Sequence, residues 1–510
     1  MARSVATVLV LLVAWPAAAE EATVVRAGLG SKLDRAVQRS TGGGFWGAVL
    51  VGRGGEVLLA KGYGFADYAR RPNTARSLFE IASTSKPFTA AAVLKLQMQG
   101  KLRLDDPIAK HFEEVPPAKA KITIHHLLTH TSGISPQVGV PYASTIERGD
   151  YIRYVLGQRL ETEPGETFAY SNAGYALLAA LVEVVSGRPF EEYVRNNLFE
   201  PAGLQDTGFI GGGAFDADRM TTRLSERTPD ATAADWFWGW GYRGMGGVVT
   251  TVWDLWRWDR ALRGDDVLDR KTRARSYEPF HESYACGWRV DTTSRGTRKV
   301  SHAGGVEGYG VNYVRYLEDD AVVVVLSNGK SDVHAVTKTI EDLLFPPPRI
   351  TAAFDVAGYE LNRYGAVEFA GTAAWRVRKD GQQIVLVLED PRRRHAVATI
   401  RLPQGPAKKL QMDLGRHVAG RRAGGGEAPM DAGAYLHRYS LRAGKLEISQ
   451  GLELRVMPRY TGMDENRRRI TDERVTLVLV DTRHRQWPVM AKMDTRSAGA
   501  LLEDLHRALK

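Results

Sequence analysis

Cysteine is almost missing from this chain: Cys286, in Tyr284-Ala-Cys-Gly-Trp288, is the only one in 510 residues. No disulfide can form within the chain, so stability must come from core packing, for which this length is ample. A lone cysteine is usually a small buried apolar residue, and a thiol nucleophile is not expected here. Beyond the first twenty residues no apolar run approaches the length that spans a bilayer, so no transmembrane segment is expected. Internal repeats and heptads are absent. No Gly-x-Ser-x-Gly pentapeptide occurs, which excludes a strand-to-helix nucleophile elbow. His125, His126 and His130 have helical spacing, but no carboxylate or further histidine cluster completes a ligand set, so no metal or cofactor is expected.

Charge is absent as a net quantity from the first two-thirds of the chain. The formal surplus of +10 lies wholly from Arg349 onward, where 29 Lys and Arg face 19 Asp and Glu. Such asymmetry predicts different jobs or partners for the two parts. The chain starts Met1-Ala-Arg-Ser, continues apolar from Val5 to Val13, and offers small residues at Ala17-Ala-Ala19. That pattern predicts a signal peptide over 1–19 and export to the periplasm or medium. No cysteine follows the apolar run, which argues against a lipid anchor there. Phe345-Pro-Pro-Pro-Arg349 blocks both helix and central strand and marks a linker over 346–349. The expected units are a domain over 22–345 and a basic, β-rich accessory domain over 350–510.

Within 22–345, Ser31 to Ser40 has amphipathic helical spacing. Two apolar runs flanking Arg53-Gly54-Gly55 predict a hairpin. Helical patterns dominate from about 122 to 200, including Ala173 to Val185 before Gly187. Strand patterns return at Lys299–His302, Gly310–Tyr316 and Ala321–Asn328, followed by a helix over Val333–Leu344. Strands, then helices, then strands predict an α+β fold whose sheet draws on both ends of one domain. Beyond 350, alternating stretches at Ile384–Leu388, Lys445–Ser449 and Arg474–Val480 predict a barrel or sandwich, with one helix at the end, from Ser497 to Leu509. Gly420 to Gly426 is an Arg- and Gly-rich loop.

The chemistry concentrates in three short runs. Phe79-Glu-Ile-Ala-Ser-Thr-Ser-Lys86 sets Ser83 three residues before Lys86 at the mouth of a helical pattern. Residues i and i+3 share a helix face, so the amine can lie beside the hydroxyl. The free amides and positive end of the helix N-terminus then face whatever the serine attacks. Tyr170-Ser171-Asn172 precedes another helix; the phenol can act as a base beside a positive charge, which Lys86 can supply. Asn172 offers a donor and an acceptor to a substrate amide. His302-Ala303-Gly304-Gly305 ends a strand, and its glycines admit close backbone approach. The amides of Ser83 and Gly305 would make a two-donor oxyanion hole. Trp236, Trp238 and Trp240 before Gly241 suit core packing or an acyl pocket.

In this order and spacing the three runs resemble the serine β-lactamase and penicillin-binding superfamily. The likeness is to its class C β-lactamase-related branch of D-alanyl-D-alanine carboxypeptidases, D-aminopeptidases and carboxylesterases. Gly100-Lys-Leu-Arg-Leu-Asp-Asp-Pro107, Ile122 to Ile134, Gly244 to Asp254 and Val324-Val-Leu-Ser-Asn-Gly329 match as well. The likeness covers about residues 30 to 345 and leaves out the basic C-terminal part. It implies a β-lactamase-like antiparallel sheet with flanking helices and an all-helical subdomain. It also implies acylation at Ser83, proton transfer through Lys86 and Tyr170, and substrate contacts from Asn172, His302, Gly304 and Gly305. Class C β-lactamases carry lysine where this chain has His302. An unperturbed imidazole is mostly neutral at pH 7 and attracts a carboxylate less strongly. A peptide of D-alanyl type or an ester is therefore the expected substrate. The alternatives are β-lactam hydrolysis and a non-catalytic binder of penicillin or cell-wall peptides. The basic part offers contact with a cell wall or anionic surface; nucleic acid is not an expected partner of an exported chain.

Overall fold

The structure, a computed structural model, describes residues 23–40, 44–136, 140, 144–211, 215–216, 218–222, 232, 239–293, 295–329 and 331–346. From 351 to 509 it describes the strands and helices named below and the turn 381–382. The expected leader over 1–19, residues 347–349 of the expected linker, the loop 420–426, Trp236 and Trp238 lie outside the described residues.

In chain order the first half contains β1 (Val24–Val25), α1 (Leu29–Ser40), β2 (Gly47–Arg53), β3 (Glu56–Tyr63), β4 (Phe79–Glu80) and a 3-10 turn, Ala82–Ser85. The helices α2 (Lys86–Met98), α3 (Ile124–Leu128), α4 (Arg148–Gly157), α5 (Asn172–Ser186) and α6 (Phe190–Val194) follow. Then come β5 (Gly208–Phe209), β6 (Val248–Thr250), α7 (Val252–Ala261) and α8 (Arg270–Ser276). Finally β7 (Arg289–Thr292), β8 (Arg298–Val306), β9 (Tyr309–Tyr316), β10 (Ala321–Ser327) and α9 (Val333–Leu344) return to the start.

A seven-stranded antiparallel sheet in the order β1-β3-β2-β10-β9-β8-β7 joins both ends of this region. Its central strands explain why Ala321–Leu326 reads as an unbroken apolar run. Alternate side chains point to opposite faces, and here both faces are covered. Val323 and Val325, with Val49 and Val51, pack under α1 and α9 against Leu33, Val37, Val336 and Ile340. Val322, Val324 and Leu326, with Ala48 and Leu50, face the helical half of the molecule. Each such valine or leucine removed from water contributes about 1.5–3 kcal/mol.

Helix α2 runs through that second core with ten of its residues, Lys86 among them, buried. It packs on α5, where Ala173 through Val182 are all buried. The lysine of the Ser-x-x-Lys run thus begins a core helix, although its type favours solvent.

Beyond 350 two sheets appear. One is ordered β13-β14-β15-β11-β16, from β11 (Thr351–Asp355), β13 (Ala374–Asp380), β14 (Gln383–Asp390), β15 (His395–Pro403) and β16 (Lys445–Ile448). The other is ordered β12-β21-β20-β17, from β12 (Val367–Ala370), β17 (Leu452–Met457), β20 (Val475–Asp481) and β21 (Gln486–Met493). A ribbon, β18 (Tyr460–Met463) with β19 (Arg469–Asp472), stands apart. The expected final helix is α11 (Thr495–Leu509), but a second helix, α10 (Gln404–Val418), corrects the expectation of strands alone before it. Gly405, Pro406 and Gly415 read as turn residues. Pro406 falls in the first helical turn, where its missing N–H is not needed. Ala407, Leu410 and Leu414 form a buried stripe at helical spacing. Among the described residues no helix is long and apolar enough to cross a membrane.

Candidate active site

Four backbone elements meet around Ser83. Strand β4 leads in through Ile81 and Ala82, the latter at φ +46°, a conformation rare for a residue with a side chain. The 3-10 turn then passes directly into α2, so Ser83 sits before the helix and Lys86 is its first residue. Ser83 is half-buried, whereas the residues from Ile81 to Lys86 around it are buried.

The lysine is fully enclosed. Its Nζ lies 3.0 Å from Ser83 Oγ, 2.9 Å from Asn172 Oδ1 and 3.1 Å from the Met245 carbonyl oxygen. The carbonyl and the amide oxygen can only accept, so each takes one N–H. The third position faces the serine: an ammonium donates there, and a neutral amine presents its lone pair there. Burial pulls the Lys86 amine well below its usual range, partly offset by Glu80. The neutral, proton-accepting form is therefore favoured far more than in water. Tyr170 completes the pocket, its ring centroid 4.8 Å from Nζ, with Tyr175 at 5.6 Å on another side. Asn172, expected to bind substrate, also fixes the lysine.

Tyr170 is held from behind by His130, whose ring lies 4.2 Å from it, centroid to centroid. His130 Nδ1 accepts the Ser171 N–H at 3.0 Å, which seats the Tyr170-Ser171-Asn172 run before α5. Burial, then Lys86 and His302, hold this imidazole well below its usual pKa, so it is neutral. The histidines of the Ile122–Ile134 stretch are structural: His126 closes the cap of α3 with Thr123, and His125 packs edge-on to Phe280. No cluster of metal-binding side chains occurs among the described residues.

Strand β8 closes the fourth side. A methyl group at Gly304 would sit 2.3 Å from the Ile81 carbonyl oxygen and 3.2 Å from Ala82 Cβ, so the strand lies flush against the Ser83 turn. Gly305 is exposed at its end. The imidazole of His302 is buried, 5 % exposed. Its Nε2 is 3.0 Å from the Tyr284 hydroxyl, and its Nδ1 is 2.8 Å from the Ala303 carbonyl. The carbonyl only accepts, so Nδ1 carries the proton and Nε2 accepts from Tyr284. Burial, then Lys86, pushes this imidazole down to about 3. At neutral pH it carries no charge.

Sequence reasoning passed over Tyr284, Glu80 and the Met245 carbonyl. Glu80 left a signal, an acid between Phe79 and Ile81 in an otherwise apolar approach. Met245 left none, because it acts through its backbone. Of the tryptophans before Gly241, Trp240 is buried between Tyr151 and Arg243 and belongs to the core, one of the two roles its run suits.

Residues 33–344 match the family model described as Beta-lactamase. The chain belongs to the β-lactamase family. Penicillin-binding protein 4* of Bacillus subtilis (strain 168) is 30% identical over 334 residues, covering 60% of this chain and 73% of the relative. A penicillin binding protein from Bacillus halodurans superposes with a TM-score of 0.54 at 28% identity, over 61% of this chain and 98% of that one. The octameric penicillin-binding protein homologue from Pyrococcus abyssi shares the fold, with a TM-score of 0.55 at 21% identity. That likeness covers 88% of this β-lactamase-family chain and 97% of the other, and so extends past α9 into the C-terminal sheets.

Proposed function

We propose that this protein is an exported serine hydrolase that works through an acyl-enzyme on an ester or a D-alanyl-type peptide. The observation that carries the reading is the enclosed Lys86 amine, 3.0 Å from a half-buried serine hydroxyl. Ser83 Oγ attacks the substrate carbonyl carbon while its proton passes to the Lys86–Tyr170 pair. The tetrahedral oxyanion is held by the amides of Ser83 and Gly305. Collapse breaks the bond to the leaving group, which takes the proton and departs, leaving Ser83 acylated. Water then attacks the acyl carbon and gives its proton to the same pair, which passes it to Ser83 Oγ as the acyl–oxygen bond breaks and the acid leaves.

The uncharged, buried His302 supports an ester over a β-lactam, because no ammonium stands where a substrate carboxylate would dock. The test is a panel of p-nitrophenyl esters, D-alanyl dipeptides and a chromogenic cephalosporin, run with the native protein and with Ser83→Ala. Ester or D-peptide hydrolysis should fall by about 10³-fold or more in the variant. Activity that survives Ser83→Ala, or cephalosporin turnover faster than both other classes, would refute the reading.

A further inference from the structure

We propose that Glu80 is a positioning residue for Lys86: its buried carboxylate ties the turn that presents the Met245 carbonyl to the strand that leads into Ser83. The inference rests on the serine-hydrolase reading above and adds a residue to it. Glu80 is fully buried and ends β4, three residues before Ser83. One oxygen, Oε1, accepts both the Tyr242 hydroxyl at 2.9 Å and the Gly247 N–H at 2.8 Å. Those donors bracket Met245, whose carbonyl takes a proton of Lys86. Glu80 thus clamps both ends of the segment that holds the amine.

The same segment is also held by Arg243, whose guanidinium pairs with Glu191 of α6 at 2.6 Å. Thr89 Oγ1 donates to the Gly244 carbonyl at 2.7 Å, and the Val248 N–H donates to Ser85 Oγ at 3.2 Å. Gly244 itself presses on α5: a methyl group there would lie 2.5 Å from the Tyr175 carbonyl oxygen. The turn is therefore wedged between α2 and α5 and cannot shift without moving Met245.

A buried acid with one oxygen doubly used needs a reason, since Oε2 finds no hydrogen-bond partner among the described residues. The titratable groups facing Glu80 are Tyr242 and Lys86. Those facing Lys86 from other elements are Glu80, His130 and His302, with Tyr170 and Tyr175 ringed around its Nζ. Burial pushes Glu80 up to about 7, while Gly247, Tyr242, the Ala82 amide and Lys86 pull the other way. Among the described residues, the Glu80 carboxylate is the anion that draws the Lys86 amine back toward its usual range. Glu80 therefore has two separable effects, a mechanical tie and a charge.

Two variants separate them. Glu80→Gln keeps an oxygen for Tyr242 and Gly247 and removes the charge; Glu80→Ala removes both. Two readouts are used: the pH profile of p-nitrophenyl ester hydrolysis, and the titration of the Lys86 ε-carbon in protein carrying ¹³C-lysine, assigned by its loss in Lys86→Arg. Glu80→Ala should lower kcat about tenfold or more with little change in KM, and Glu80→Gln should recover most of it. In Glu80→Gln the Lys86 midpoint, and the acid limb of the rate profile with it, should move to lower pH. Wild-type rates in Glu80→Ala, or a Lys86 midpoint that both variants leave unmoved, would overturn the proposal. If the native protein hydrolyses no ester, the serine-hydrolase reading fails, and the lysine titration alone still decides the placement of Glu80.

Discussion

Lys86 costs the fold something, and that cost is the signature of its role. An amine taken from water into a core is penalised in its charged form, so the folded state binds its proton less well than the unfolded state does. Between the lowered folded value and the ordinary 10.5, the unfolded chain holds more protons, so stability rises with pH across that window. Lys86→Met should therefore lose about 10³-fold or more in ester turnover while its melting temperature at pH 7 stays equal to or above wild type. The gap between the two proteins should close as pH approaches 10, as thermal melts in a pH series would show. A variant that lost activity and stability together would mean the amine is a structural strut. The lysine's partners divide by how visible they are in sequence. Ser83, Tyr170 and Asn172 stand in short runs whose spacing carries meaning, whereas the Met245 carbonyl could belong to any residue and only folding selects it.

At the scale of elements, the site depends on how closely β8 approaches the Ser83 turn. Gly304 is in van der Waals contact with that turn and Gly305 is not: around Gly305 the nearest atom to an added methyl is the Tyr309 carbonyl oxygen at 4.0 Å. Gly304→Ala should cost about 1–3 kcal/mol in stability and most of the activity, because relief requires moving either the strand or Ile81. Gly305→Ala should fold with wild-type stability. Chemical denaturation of both variants beside their ester rates checks the contrast, and equal effects would deny the flush packing. This contact also shows where sequence reading stops. The pattern His302-Ala-Gly-Gly305 marks a strand end open to backbone approach, but not which glycine meets which neighbour. Nor does it show that the imidazole two residues earlier is hydrogen-bonded to Tyr284, because Tyr284 lies 18 residues away in sequence.

Across the whole molecule, apolar alternation made the sheet readable and composition hid one helix. The runs at Gly47–Arg53, Tyr309–Tyr316 and Ala321–Ser327 had no other way to be satisfied than as neighbours in one sheet. Helix α10 escaped because glycine and proline at its start and a glycine within it mimic turns, while its stripe of Ala407, Leu410 and Leu414 has meaning only against a partner surface. Several buried imidazoles give the molecule a common acid response. His302 is held down to about 3 and His125 to about 4, mainly by burial, and His130 well below its ordinary value. Unfolded, each takes up a proton near 6.5, so the stability they support is present above that pH and is lost as pH falls toward the folded values. Melting temperature should drop between pH 6.5 and 4, and less so in His302→Gln; a flat profile over that range would contradict the neutral, buried assignment. The central claim, a covalent acyl bond at Ser83, is tested most directly by mass spectrometry of protein quenched during turnover of a p-nitrophenyl ester. The account predicts a mass increase equal to the acyl group, on the peptide that contains Ser83 and missing from Ser83→Ala. An acyl group found on another residue, or turnover with no adduct at any quench time, would contradict it.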